Sequence, residues 1–312
     1  MSGMVPTDET DRGSESREGA RPPPELTSLP PDHWDTVFDS APEITRPGKF
    51  LGMMRADLIA CRELAWRLFV RNITAMYRQT ILGWFWAFAP VIVMTATFVF
   101  LRSRNIVSFD ELAVPYSVYV FTGMILWQTF YEAVLAPIKQ VMQARTMLGK
   151  IHFPREALIL AGFYETLFNS GLRLLLWIPA AFYMGFNPFV IGWVFVPGFL
   201  ALVGLGIGIG VLLVPLAALY QDVEKGLPIL LTLGMFLTPV FYPIGADPQT
   251  PFFLLNPVTA ILDTARSGLL GIAPVLPGAA LLWSLFVILS LGAGWILFRL
   301  ALPHIVSRMP AS

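Results

Sequence analysis

The sequence predicts an all-α integral membrane protein. Six transmembrane helices are expected, preceded by an amphipathic helix in the membrane interface, with both termini in the cytosol. Three observations carry this reading. Of 312 residues, 55% are hydrophobic and only 13% are charged, whereas a soluble domain is about one quarter charged. Apolar runs close to the roughly 20 residues that span a bilayer recur along the chain. Arginine and lysine gather in alternate connections, as the positive-inside rule requires of cytosolic loops.

The elements follow in order. Residues 1–50 hold eight prolines, ten acidic and five basic residues and few large apolar side chains, the composition of a solvated, disordered tail. They lack the apolar stretch of a signal peptide, so they are expected to be retained in the cytosol. Residues 51–80 form the interface helix region. There Trp66, Phe69, Val70, Ile73, Met76 and Tyr77 recur at helical spacing, which places them on one face. Glu63, Arg67, Arg71, Thr74 and Arg78 fall opposite, and Leu64 and Leu68 interrupt the pattern. Such a helix turns its arginines toward water and lipid headgroups, with Trp66 buried on the apolar side.

At Ile81 the polarity vanishes, and the run to Leu101 carries no charge. It is expected to continue from the interface helix as span one, 81–101. The other spans are expected at about 115–136, 157–183, 192–218, 227–243 and 277–298, followed by a cytosolic C-terminus, 301–312. Arg55, Arg62, Arg67, Arg71 and Arg78 precede span one. Lys139, Arg145, Lys150 and Arg155 separate spans two and three, and Arg299 and Arg308 follow span six. The alternate connections are poorer in basic residues: Arg102 and Arg104 are offset by Asp110 and Glu111, and Arg266 by two aspartates. The connection Gln221–Lys225 carries little information on orientation.

Several chemistries are excluded or disfavoured. No GxxxxGK[ST] phosphate loop occurs, so ATP is not bound in the usual way. The single cysteine, Cys61, rules out an intrachain disulfide. His33, His152 and His304 are scattered, which disfavours a histidine metal site. A membrane enzyme acting on lipid-linked sugars needs convergent carboxylates or histidines, and the outer face offers only Asp110, Glu111, Asp247 and Asp263, dispersed in sequence. No cofactor and no nucleic-acid partner are expected.

Five blocks of sequence then resemble, in order, the permease subunits of ABC transporters that export polysaccharides such as O-antigen and teichoic acid. They are Tyr77–Trp86 with Pro90, Gly123–Trp127, Lys150–Glu156 (KIHFPRE), Tyr220–Val223, and Thr238–Pro243 with Leu255–Pro257 and Arg266. Together they cover about residues 60–300. Gln221 stands where that family has arginine. The resemblance implies a homodimer of six-helix subunits in the bacterial cytoplasmic membrane, around a path for a lipid-linked glycan. It also implies two copies of a separate cytosolic ATPase, which would use the ATP and magnesium. The segment Ile138–Phe153 is the candidate for coupling to that ATPase, with Arg145, Lys150, Phe153, Pro154, Arg155 and Glu156 as contact residues. An alternative within the same architecture is export of a drug or small lipid.

Two spans carry further signals. Glu165, Asn169 and Arg173 recur at i, i+4 and i+8 in span three and share one helix face. Charges at membrane depth cost roughly 2.5–3.5 kcal/mol each on insertion scales, so these must face protein or water. They are either a polar wall of a translocation path or a structural set in which Glu165 and Arg173 neutralise one another through Asn169. Trp86, Trp127 and Tyr131 are aromatic candidates for the same path, or else belt and packing residues. Span four reads GLGIGIG from Gly204 to Gly210, two overlapping GxxxG patterns that favour close helix packing, with a hinge as the alternative. The outer segment 244–276 is too interrupted to span and, by the resemblance, forms short re-entrant helices.

Overall fold

The computed structural model describes residues 47–78, 85, 87–107, 112–144, 155–244 and 251–306. Among the described residues every regular element is helical and no strand occurs. The helices are α1 (Pro47–Arg78), α2 (Ala89–Ser103), α3 (Tyr116–Gln143), α4 (Glu156–Tyr183), α5 (Phe195–Leu219), α6 (Gln221–Leu237), α7 (Pro251–Leu255), α8 (Pro257–Leu270) and α9 (Pro277–Val306). A 3-10 turn, Pro188–Val190, links α4 to α5, capped by the Asn187 side chain, which accepts from Phe189 N.

Among the described residues, three helices are long and apolar enough to cross a membrane by length and composition: α3, α5 and Pro277–Ala301 of α9. Helix α4 has 28 residues, but Glu165, Asn169 and Arg173 lower its apolar character. Helix α2 has only 15 residues, a rise of about 22 Å against a hydrocarbon core of about 30 Å. Within the stretch expected as span one, α2 starts at Ala89, after a turn through Ala87 and Phe88. Pro90 enforces that start, because a proline has no N–H to donate and is tolerated only in a helix's first turn. Residues 79–84 and Trp86 lie outside the described residues.

Two other boundaries move. Span two continues through Pro137 to Gln143, so Ile138, Gln140 and Val141 belong to the buried end of α3 and not to a protruding coupling segment. Gln221–Lys225 is not a loop but the first turns of α6. Asp222 and Glu224 sit there, where the helix N-terminus favours negative charge.

The core lies between α3 and α5, with α4 and α2 against α3, and α9 and α8 against α5. The GLGIGIG stretch serves two partners at once. Gly206 and Gly210 face α3: a Cβ at Gly206 would lie 2.5 Å from Ala133 Cβ, and one at Gly210 would strike the Val134 carbonyl. Gly208 faces α9, where a Cβ would lie 2.5 Å from Ser290 Oγ and 3.2 Å from Leu291 N. Each pair of glycines four residues apart thus admits a different neighbour to backbone distance. These contacts are the packing reading of the motif, and α5 runs unbroken through it.

Candidate functional site

Helix α1 presents three faces rather than two. Cys61, Ala65 and Phe69 are buried and Leu64 and Leu68 partly so, packed on Ala157, Ala161, Leu160 and Tyr164 of α4. Phe69 meets Tyr164 and Phe168 edge-on, at 6.2 and 5.8 Å between ring centroids. Ile59, Trp66, Val70 and Met76 are exposed, with Trp66 56% accessible. Arg67, Arg71, Thr74 and Arg78 are exposed on the third face, where Arg67 pairs with Glu63 at 2.6 Å. At 100° per residue the arginine stripe lies roughly 80–90° from Ile59, Trp66 and Val70 and roughly 120° from the protein contact, while Met76 falls toward the contact side. The expected two-sided helix is corrected accordingly. Leu64 and Leu68, which seemed to break the pattern, flank the protein contact; Trp66, although exposed, meets Tyr164 edge-on at 6.0 Å between ring centroids, and Val70 is exposed.

The span-three polar residues do not neutralise one another. Glu165 and Arg173 each find a partner on α3. The Arg173 guanidinium, only 1% exposed, pairs through Nη2 with Glu132 Oε1. It also donates from Nε to the Ala87 carbonyl at 3.2 Å. Asn169 Nδ2 donates to Glu132 Oε2 at 3.3 Å. Two turns away, Lys139 Nζ donates to Glu165 Oε1 at 2.7 Å and Gln140 Nε2 to Glu165 Oε2 at 2.7 Å. Gln140 Oε1 accepts from Asn72 Nδ2 of α1 at 2.9 Å. Asn72 Oδ1 in turn accepts from Arg71 Nη2 at 3.2 Å.

The result is a ladder of crossed charge pairs. Helix α3 carries Glu132 and Lys139, antiparallel α4 carries Arg173 and Glu165, and each acid faces the other helix's base. Burying a charge is tolerable when it is paired and hydrogen-bonded, which is the condition met here. A small cleft of about 210 Å³ opens beside the ladder, lined by Met76, Glu132, Lys139, Glu165, Thr166 and Asn169 among others. Glu132 and Gln140 are the residues that sequence reasoning passed over. The available signal was Glu132 itself, an acid inside an otherwise apolar span, seven residues before Lys139 and so on the same face.

The remaining path candidates do not join this group. Trp127 is buried, 5.4 Å from the Phe130 ring centroid and against Gly234 of α6. Tyr131 is partly buried. Trp86 lies outside the described residues, as do Arg145, Lys150, Phe153 and Pro154 of the coupling group. Arg155 and Glu156, both partly buried, form the start of α4.

At the other end of α3 the structure gathers several of the family-like blocks. Arg266, 1% exposed, donates from Nη1 to the Pro239 carbonyl at 2.8 Å and stacks 4.0 Å over the Tyr119 ring. Asp263 Oδ2 accepts from the backbone of Val275 and Leu276 at 2.7 and 3.2 Å. Tyr116 and Tyr119 donate to the carbonyls of Phe241 and Tyr242 at 3.0 and 3.3 Å. Gly123 is required by this turn, since a Cβ there would lie 2.7 Å from the Val240 carbonyl. Asn256 caps α8, accepting from Val258 N at 3.0 Å, and donates to Thr238 Oγ1 at 3.3 Å. Gly271 closes α8 at φ 65°, the left-handed conformation glycine supplies most cheaply. Asn256→Ala is expected to lose about 1 kcal/mol of stability with the cap, read as a lower Tm in a detergent-solubilised thermal melt.

Comparison with known proteins agrees with this arrangement. The family description of ABC-2 type transporters matches residues 63–270. The O-antigen export system permease protein RfbA of Myxococcus xanthus is 25% identical over 219 residues, 68% of this chain and 82% of that protein. A protein of the same name from Klebsiella pneumoniae is 21% identical over 205 residues, 63% of this chain and 76% of its own length. A family match over most of the chain, on an all-helical scaffold, leads to one conclusion: this chain belongs to the ABC-2 type transporters and is the membrane subunit of a type-2 ABC exporter, a permease rather than an enzyme.

Proposed function

We propose that this chain is the permease that moves a lipid-linked polysaccharide across the bacterial cytoplasmic membrane, driven by a separate ATPase. The observation that carries the reading is the match to permeases named for O-antigen export across most of their length. The proposed assembly is a homodimer with two copies of the ATPase subunit, which uses ATP and magnesium. This chain itself holds no cofactor. Six spans with both termini in the cytosol follow if α2 and α6 cross alongside α3, α4, α5 and α9. Support comes from their outward faces: Ile92, Val93 and Phe100 on α2, and Ile229, Leu230 and Leu233 on α6, are all exposed. Such surfaces suit lipid or a second copy of the chain, and not water.

The residues preceding α4 are proposed to seat in the ATPase. Expression of the full chain with the ATPase encoded beside it is expected to yield a stable complex that hydrolyses ATP in lipid. Replacing Phe153–Glu156 with alanines is expected to lower complex recovery and ATP turnover roughly tenfold, the loss of about 1.4 kcal/mol of binding. A chain that recruits no ATPase contradicts the proposal.

A further inference from the structure

We propose that the turn between α4 and α5 is a lipid-docking surface: Phe182, Tyr183, Phe189 and Trp193 sit in the bilayer interface opposite the one that receives the arginine stripe of α1. The inference needs only that the chain spans a membrane, and it stands or falls apart from the cargo and the ATPase. All four rings are exposed, Phe182 by 51%, Phe189 by 79%, Trp193 by 85% and Tyr183 by 93%. Phe182 and Phe189 meet edge-on at 5.7 Å between centroids, which joins the end of α4 to the 3-10 turn. The patch continues an apolar face of α4, since Leu175, Ile178 and Phe182 are exposed at i, i+3 and i+7. A continuous apolar surface of this kind marks an interaction site.

Position, chemistry and backbone each name lipid as the occupant. Helix α1 packs on Ala157 and Ala161 at the start of α4, and there Arg67, Arg71 and Arg78 are exposed. From Ala161 to Tyr183 a helix rises about 33 Å, against a hydrocarbon core of about 30 Å. With the arginine-bearing end of α4 at one interface, Tyr183 therefore falls at the other. No Asp, Glu, Lys, Arg or His occurs between Arg173 and Asp222, so the turn offers a soluble partner no charge to read. Tryptophan and tyrosine are favoured at headgroup level, where the ring is in apolar surroundings and its polar tip stays wet. The backbone of the turn satisfies many of its own donors. Met184, Gly185 and Phe186 donate to carbonyls in the last turn of α4, Phe189 donates to the Asn187 side chain, and Gly192 donates to the Gly268 carbonyl of α8 at 2.7 Å. Pro188 has no N–H to satisfy. Donors paired within the protein lose little on leaving water. The surface is also firmly mounted, because a Cβ at Gly268 would strike Phe195 N, so α8 is seated on the turn at backbone distance.

The test is collision EPR on the full chain in vesicles of phosphatidylethanolamine and phosphatidylglycerol. Cys61, the one cysteine, is replaced by alanine, and a nitroxide is attached at Trp193→Cys or Tyr183→Cys. Asp222→Cys, at an exposed acid, is the reference in water. Oxygen partitions into lipid and a nickel chelate stays in water. The ratio of oxygen to nickel collisions at 183 and 193 is expected to exceed that at 222 by roughly threefold or more, with no spin–spin coupling between copies. A ratio equal to that at 222 places the turn in water and overturns the proposal. Low access to both reagents means that protein covers the turn and overturns it too. Strong coupling between labels identifies a second copy of this chain as the occupant, with the same consequence. Trp193→Phe in the otherwise unaltered chain serves if the cysteine variants do not accumulate. Lipids brominated near the headgroup are then expected to quench more tryptophan fluorescence in wild type than in Trp193→Phe, and identical quenching overturns the proposal.

Discussion

Glu132→Gln is expected to destabilise the protein by about 3–5 kcal/mol, the cost of stranding a buried charge. Arg173 is 1% exposed, and among the described residues Glu132 is the acid that neutralises its charge. Its other named contact, the Ala87 carbonyl, accepts a hydrogen bond without carrying a charge. The pair differs from the exposed Arg67–Glu63 bridge, where both side chains are about three-quarters accessible and water screens the interaction. Breaking that exposed bridge is expected to change little. Removing both members, as Glu132→Leu with Arg173→Met, is expected to recover most of the loss, because two apolar side chains need no compensation. Thermal melts of the four proteins in detergent, with accumulation in membranes as a second readout, check this. Equal loss in single and double variants would mean that the pair contributes through more than charge.

Gly210→Val is expected to be at least as disruptive. Its side chain would meet the Val134 carbonyl and the Pro137 ring, both parts of the α3 backbone path, with no flexible end to give way. Overpacking of this kind costs typically about 1–3 kcal/mol, and more where backbone must move. Here the helix pair at the centre of the core has to separate. Gly292→Ala provides the contrast. It lies within α9 with nothing within 4 Å of the added carbon, and alanine is favoured over glycine in a helix interior by up to about 1 kcal/mol. Accumulation and Tm are therefore expected to fall sharply for the first and to hold or rise for the second.

The two predictions mark where the sequence was informative and where it was not. The bounds of α4 and the close-packing role of Gly206, Gly208 and Gly210 follow from patterns inside one helix, where spacing alone decides the face. The Glu132–Arg173 pair is not such a pattern. It depends on the antiparallel register of α3 and α4, and neither helix's spacing specifies that register. For the same reason Glu165 and Arg173, neighbours in one stripe, look like partners in sequence but are not. Which apolar residues of α1 meet α4 was not legible, because an apolar residue says it avoids water, not whether it meets protein or lipid. Small residues at the contact, Cys61 and Ala65 against Ala157 and Ala161, were the available clue. The start of α2 at Ala89 turns on Pro90, whose effect on helix geometry competes with an apolar run that hydropathy alone would join. Gly123, Thr238–Pro243, Asn256 and Arg266, blocks far apart in sequence, build one buried turn.

The central claim is that this permease moves a lipid-linked glycan at the expense of ATP hydrolysed by its partner. The most direct measurement reconstitutes the full chain with that ATPase in sealed vesicles and follows lipid-linked glycan across the bilayer, by protection from a glycan-cleaving enzyme outside. The account predicts ATP-dependent movement that is lost when the Phe153–Glu156 segment is replaced by alanines. ATP hydrolysis by an intact complex with no movement of the glycan, and with movement of a drug or short-chain lipid instead, would contradict it.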